Sequence, residues 1–126
     1  MSPAGPRVYA HHMIRTYEGR CHCGAVRFRF ESEEITRGIR CNCSMCIRKG
    51  AVMSTSYVPA QIEGREALTL YRFGDVTVNQ YFCKHCGIYP FHEIIREPGR
   101  YRFNLGCVEG VDPLALEIKL IDGRSY

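Results

Sequence analysis

The chain has 126 residues and a mass of 14.4 kDa, room for one domain, since two independent cores of about 60 residues each would be marginal without staples. Hydrophobic residues make up 45% and charged residues 24%, which excludes a disordered chain, and no run of about 18 apolar residues offers a membrane-spanning helix. The formal charge is +4, carried by 14 arginines and 3 lysines against 13 acids, a balance that raises nucleic acid as a partner until the cysteines are considered.

Residues 1–13, MSPAGPRVYAHHM, show no period and read as a flexible leader, with Met13 as an alternative start. They hold no continuous apolar stretch, which argues against a secretory signal. Residues 14–126 are expected to form a single domain, because no linker, repeat or low-complexity segment divides them. From Val26 to Glu31, apolar Val26, Phe28 and Phe30 alternate with Arg27, Arg29 and Glu31, the pattern of a half-buried strand. A short helical turn is expected over Ser44–Lys49, and a weaker strand over Val52–Val58, ending at Pro59. Leu68–Phe73 and Val76–Phe82 flank Gly74-Asp75 and predict a hairpin. Arg100–Leu105 alternates again. A closing strand is expected to line one face with Leu114, Leu116, Ile118 and Leu120. The predicted fold class is all-β.

Eight cysteines in 126 residues amount to about 6%, below the density of a small disulfide scaffold. Without a secretory signal, a reducing, cytoplasmic setting is expected, where clustered cysteines point to metal. They fall into Cys21-His22-Cys23, Cys41-Asn42-Cys43 with Cys46, Cys83-Lys84-His85-Cys86, and the solitary Cys107. In an extended strand, residues i and i+2 share a face, so both sulfurs of a C-x-C reach one ion while His22 points away. A C-x-x-C followed by Gly87 suits a tight turn in which glycine takes positive φ and backbone N–H groups donate to sulfur.

One C-x-C and one C-x-x-C supply four sulfurs, a closed Cys₄ zinc site, and the cluster of Cys41, Cys43 and Cys46 supplies three. Three ligands and a free fourth position are what a catalytic zinc needs. Three competing readings stand beside this one: four disulfides, thioredoxin-like redox chemistry at Cys83–Cys86, and a purely structural second zinc closed by Cys107 or a histidine. Seven thiolates on two divalent ions would remove three units from the formal charge and leave about +1. That weakens the case for nucleic acid.

The stretches CHCGAVRF (Cys21 to Phe28), CNCSMCIRKGA (Cys41 to Ala51), FCKHCG (Phe82 to Gly87) and NLGCVEGVDP (Asn104 to Pro113) resemble the glutathione-dependent formaldehyde-activating enzyme family, whose domain is shared with centromere protein V. The similarity runs from about Tyr17 to about Arg124. The resemblance implies a β-tent fold of packed antiparallel sheets around two zinc ions. It assigns Cys21, Cys23, Cys83 and Cys86 to a structural ion and Cys41, Cys43 and Cys46 to a catalytic one. The implied reaction condenses formaldehyde with glutathione to S-(hydroxymethyl)glutathione, a carbon–sulfur lyase or synthase chemistry.

A Cys₃ centre suits that reaction. Three thiolates leave a divalent ion with net negative charge, so it activates water poorly yet can hold a fourth thiolate deprotonated near neutral pH. A small thiol or aldehyde substrate is therefore expected as partner, with neither membrane nor nucleic acid. The competing function is a non-catalytic zinc module that binds a macromolecular partner, as the centromere-associated relative suggests. A pocket open to Cys41, Cys43 and Cys46 with positive charge at its rim would favour the enzyme, and a basic face elsewhere the module.

Arg48 and Lys49 are the nearest candidates to grip glutathione carboxylates, although solvated surface charge is the favoured reading for both. His85 is expected to face solvent, and His92 to be a satisfied structural histidine rather than a proton shuttle. His11 and His12 fall in the leader. Tyr89 and Phe91 are assigned to the core. Cys107 reads as a buried or half-buried free thiol, with a fourth ligand to the second zinc as the minority view.

Overall fold

The computed structural model describes residues 13–73 and 77–123, and over them the chain is all-β with one short helix. Nine strands form: β1 (Ile14–Arg20), β2 (Arg27–Glu33), β3 (Arg37–Cys41), β4 (Val58–Glu63), β5 (Leu68–Tyr71), β6 (Val78–Cys83), β7 (Phe91–Ile94), β8 (Arg100–Phe103) and β9 (Glu117–Ile121), with α1 at Ser44–Lys49. Seven of them make one antiparallel sheet in the order β1-β2-β4-β8-β7-β6-β5, and β3 and β9 pair in parallel beside it. Residues 1–12, most of the expected leader, and the expected turn at Gly74-Asp75 lie outside the described residues. The flanking strands β5 and β6 pair antiparallel, Leu68 opposite Cys83, as that turn requires.

Alternation decides which side of the sheet is apolar. Phe28 and Phe30 of β2 and Tyr101 and Phe103 of β8 are buried, while Arg27, Arg29 and Arg100 face out. The four rings meet Phe91 of β7 in one stack, with Phe30 and Phe103 nearly parallel at 4.0 Å and Phe91 edge-on to Tyr101 at 5.1 Å. A smaller apolar group of Ile39, Met53 and Tyr89, packed against Met45, Ala51 and Ile121, joins β3, β9 and α1 to the large sheet.

Two expected strands differ. Val52–Val58 is not a strand: Met53 makes single bridges to Ile39 and Asn104, and the chain bends at Thr55–Ser56 before β4 begins at Val58 and runs through Pro59. Pro59 is tolerated because β4 is paired there on one side only, with Arg100 of β8, and pairing with β2 starts at Ala60. The closing strand is shorter than expected, and its apolar face is incomplete. Leu116 and Ile118 are half-buried, whereas Leu114 and Leu120 are 93% and 77% exposed. Leu114 precedes the strand in a turn, and among the described residues β9 has only β3 for a strand neighbour, so none of their other strands covers Leu120.

Candidate metal centres

The sulfurs of Cys21, Cys23, Cys83 and Cys86 all lie within 4.8 Å of one another. A tetrahedral zinc with sulfur at about 2.3 Å sets its ligands about 3.8 Å apart, and the Cys21–Cys23 and Cys23–Cys83 sulfurs are each separated by 3.7 Å. The donor set and its spacing fit a divalent ion. Cys83 ends β6 and Cys86 sits in the turn after it, which closes through Gly87 N–H to the Cys83 carbonyl at 2.8 Å, with Gly87 at φ 79° as its C-x-x-C-G spacing predicts. Val26 N–H donates to Cys21 Sγ and His85 N–H to Cys83 Sγ, both at 3.4 Å. His85 and His22 are exposed, as expected.

The route to this geometry differs from the extended C-x-C of the sequence reading. Cys21-His22-Cys23 is a turn, held by Cys21 N–H to Val26 carbonyl at 3.0 Å and Gly24 N–H to Cys21 carbonyl at 3.2 Å. Four thiols this close cannot all ionise unaided. For Cys86, burial raises the pKa but backbone N–H donation, first from Ile88, wins and brings it down to about 6. For Cys23 the donation from Ala25 is outweighed by burial and by hydrogen bonding with the side chains of Cys83, Cys21 and Cys86, and its pKa rises to about 11. A cation removes this conflict.

The second cluster is compact in sequence. Cys41 ends β3, Cys43 caps α1 and Cys46 lies in its first turn; their three sulfurs are again within 4.8 Å of one another. Cys46 N–H donates to Cys43 Sγ at 3.4 Å, so a cysteine sulfur takes the place of the usual Ser or Asp oxygen at the cap. Cys43 N–H donates to Cys41 Sγ at 3.4 Å. Burial raises the Cys43 pKa, but hydrogen bonds from Cys46 N–H, the Cys46 side chain and Met45 N–H outweigh it and lower that pKa, while burial pushes Cys46 up to about 12. Asn42 N–H to Ile121 carbonyl at 3.1 Å ties the cluster to β9, and the next turn brings Gly123 against it. A Cβ on Gly123 would collide with Cys41 Sγ.

No other cysteine, histidine or carboxylate among the described residues joins these three. Cys107, half-buried in a 3₁₀ turn (Leu105–Cys107), is pushed up to about 12 by burial and then by the charges of Cys21 and Cys86. It therefore borders the first cluster, against the minority view that it closes the second. The eight cysteines are all free thiols, which removes the disulfide reading.

Behind the second cluster runs a hydrogen-bonded chain that the sequence reading did not contain. His92, 6% exposed, has Tyr57 Oη on Nε2 at 2.8 Å and Tyr89 Oη on Nδ1; Tyr89 in turn donates to Gln80 Oε1 at 2.5 Å. Burial, aided by Lys49 and Arg102, holds the His92 pKa down at about 3. The ring is a neutral, satisfied structural group, as expected, and Tyr89 and Phe91 are core residues as assigned.

Arg48 is exposed and donates to the Ser44 carbonyl at 2.8 Å, in line with a solvated charge. Lys49 is different. Its Nζ is buried, lies 3.8 Å from the Tyr89 ring centroid, and meets no oxygen or nitrogen acceptor among the described residues. Burial lowers its pKa, partly offset by the charge of Cys46 and hydrogen bonding with its side chain, then by the charges of Cys43 and Cys41.

Two cavities border the β3–β9 pair. The larger, about 660 Å³, is lined by Arg37, Ser54, Arg102 and Lys119 among others and touches none of the sulfurs. The smaller, about 310 Å³, opens on Cys41 between Ile47, Leu120 and Ile121, with Arg40 and Asp122 at its rim. The smaller pocket thus reaches Cys41 but is lined by neither Cys43 nor Cys46, and it has mixed rather than uniformly positive charge around it.

The family profile described as glutathione-dependent formaldehyde-activating enzyme matches residues 16–120. Among solved structures, the chain is similar to a crystal structure of a Rhodobacter sphaeroides protein at 36% identity and a TM-score of 0.71, over 82% of this chain and 99% of that one. The match spans both cysteine clusters and every described strand but the first two residues of β1 and the last of β9, and the chain belongs to the glutathione-dependent formaldehyde-activating enzyme family.

Proposed function

We propose that the protein is a zinc-dependent carbon–sulfur lyase or synthase acting on thiol–aldehyde adducts, with glutathione as the first candidate thiol and formaldehyde as the aldehyde. One observation carries the reading: four sulfurs gather at one cluster and only three at the other. The closed set of Cys21, Cys23, Cys83 and Cys86 is suited to a structural ion, and the set of Cys41, Cys43 and Cys46 leaves a coordination position for substrate. Bound at the three cysteines, zinc would supply an electrophilic centre that keeps a substrate thiol ionised.

The chain's own groups prepare that position. N–H donation from Cys43 and Cys46 fixes two of the sulfurs, Gly123 lets the backbone pass directly beside Cys41, and the cavity at Cys41 gives small molecules access. In the reaction the substrate sulfur forms a bond to the aldehyde carbon, the carbonyl π pair moves to oxygen, and the proton given up by sulfur ends on that oxygen. The reverse step cleaves the adduct. Free thiols throughout the chain suit a reducing, cytoplasmic setting.

The test is NMR exchange spectroscopy on zinc-loaded protein with ¹³C-formaldehyde and glutathione. Exchange between free and adduct pools is expected to accelerate in proportion to protein and to return to background in Cys43→Ser. Background exchange with two zincs bound would sink the reading and leave the binding-module alternative.

A further inference from the structure

Lys49 is the unusual residue of the second cluster. An ammonium is rarely buried without a carboxylate, yet its Nζ is covered with no carboxylate against it, and neither described ion pair, Arg15–Glu34 or Arg100–Glu97, involves it. The Tyr89 ring face at 3.8 Å solvates the cation in part but brings no net charge to balance it. The negative charges that act on it are those of Cys46, then Cys43 and Cys41. α1 explains the placement, since Lys49 lies one helical turn beyond Cys46 on the same side.

We propose that Lys49 is the fixed counter-ion of the three-cysteine centre, a positioning residue whose buried ammonium offsets the excess thiolate charge and so allows an anionic fourth ligand to bind. This rests on the reading of Cys41, Cys43 and Cys46 as a metal site. Three thiolates on a divalent ion carry one net negative charge, and a fourth thiolate makes two. Close to this centre, in a partly desolvated setting, a single positive charge shifts the balance toward thiolate and away from neutral ligands. Lys49 thereby discriminates by ligand charge without touching the substrate.

The test uses the full chain loaded with cobalt(II), whose visible bands report sulfur coordination. 2-Mercaptoethanol and imidazole are titrated separately as fourth ligands against wild type, Lys49→Met and Lys49→Arg. Lys49→Met is expected to weaken thiolate binding on the order of ten- to a hundredfold while leaving imidazole binding within about threefold, and Lys49→Arg to stay near wild type for both. Should Lys49→Met fail to fold, Lys49→Gln takes its place. Equal loss for both ligands would mean a merely structural lysine and would overturn the proposal, as would no loss for either. Wild type that takes up one cobalt per chain would overturn the metal reading and this inference together, a result told apart by metal content alone.

Discussion

Tyr57, His92, Tyr89 and Gln80 share one ordering of protons. Tyr89 donates to Gln80 Oε1, so its oxygen accepts from His92 Nδ1–H, and Nε2 is left to accept from Tyr57 O–H. With a folded pKa of about 3 against the ordinary 6.5, the unfolded chain takes the proton first as pH falls. The contribution of His92 to stability is therefore whole above about pH 6.5 and is lost between there and about pH 3. Ring ¹⁵N resonances of His92 should show the Nδ1–H tautomer and no titration from pH 8 to pH 5; a midpoint near pH 6.5 would contradict the burial described here. The cysteines divide in the same residue-by-residue way. Cys83→Ser is expected to cost at least about 3 kcal/mol, on the order of 10 °C in Tm, because a closed metal site contributes folding energy. Cys43→Ser should stay within a few degrees of wild type by thermal unfolding while losing turnover.

At the scale of elements, β3, α1 and β9 form one unit around the second cluster, and its tightest point is Gly123 against Cys41 Sγ. Gly123→Ala is expected to lower zinc affinity at the three-cysteine centre roughly tenfold or more, read by chelator competition, with the four-cysteine centre unchanged. How much of this was legible varies by element. The alternation of Phe28 and Phe30, the helix at Ser44–Lys49 and the grouping of the cysteines were all readable, because period and local spacing determine them. Val52–Val58 was misread because Met53 bridges two distant residues, Ile39 and Asn104, rather than extending a ladder. The closing strand was over-extended because its partner, β3, has no strong alternation of its own. Gly123 and Tyr57 carried no local signal at all, since what makes them matter is a distant neighbour, Cys41 for Gly123 and His92, 35 residues on, for Tyr57. Lys49 was misjudged because the sequence placed it on an exposed helix end and gave no hint of the Tyr89 ring above it.

On the scale of the whole molecule, the aromatic stack of Phe28, Phe30, Phe91, Tyr101 and Phe103 holds the large sheet and lies apart from the second cluster, which rests on the smaller group around Ile39, Met53 and Tyr89. Phe103→Ala is expected to destabilise by about 3–5 kcal/mol in denaturant titration, with the second centre's metal affinity changed little in the protein that remains folded. Treatment with a strong chelator should proceed in two stages: one ion leaves with circular dichroism unchanged, and the second leaves as the fold is lost. Cys23 and Cys83 meet across 60 positions of chain. Joined through an ion, they close a ring that denies the unfolded chain about 4 kcal/mol of loop entropy, by the reckoning used for cross-links of that span. The segment Cys41–Cys46 lies inside the ring, so opening the outer knot frees the inner one, whereas emptying the inner one leaves the outer tied. Dependence between the two sites therefore runs in one direction, and zinc scarcity would silence the protein before it unfolded it.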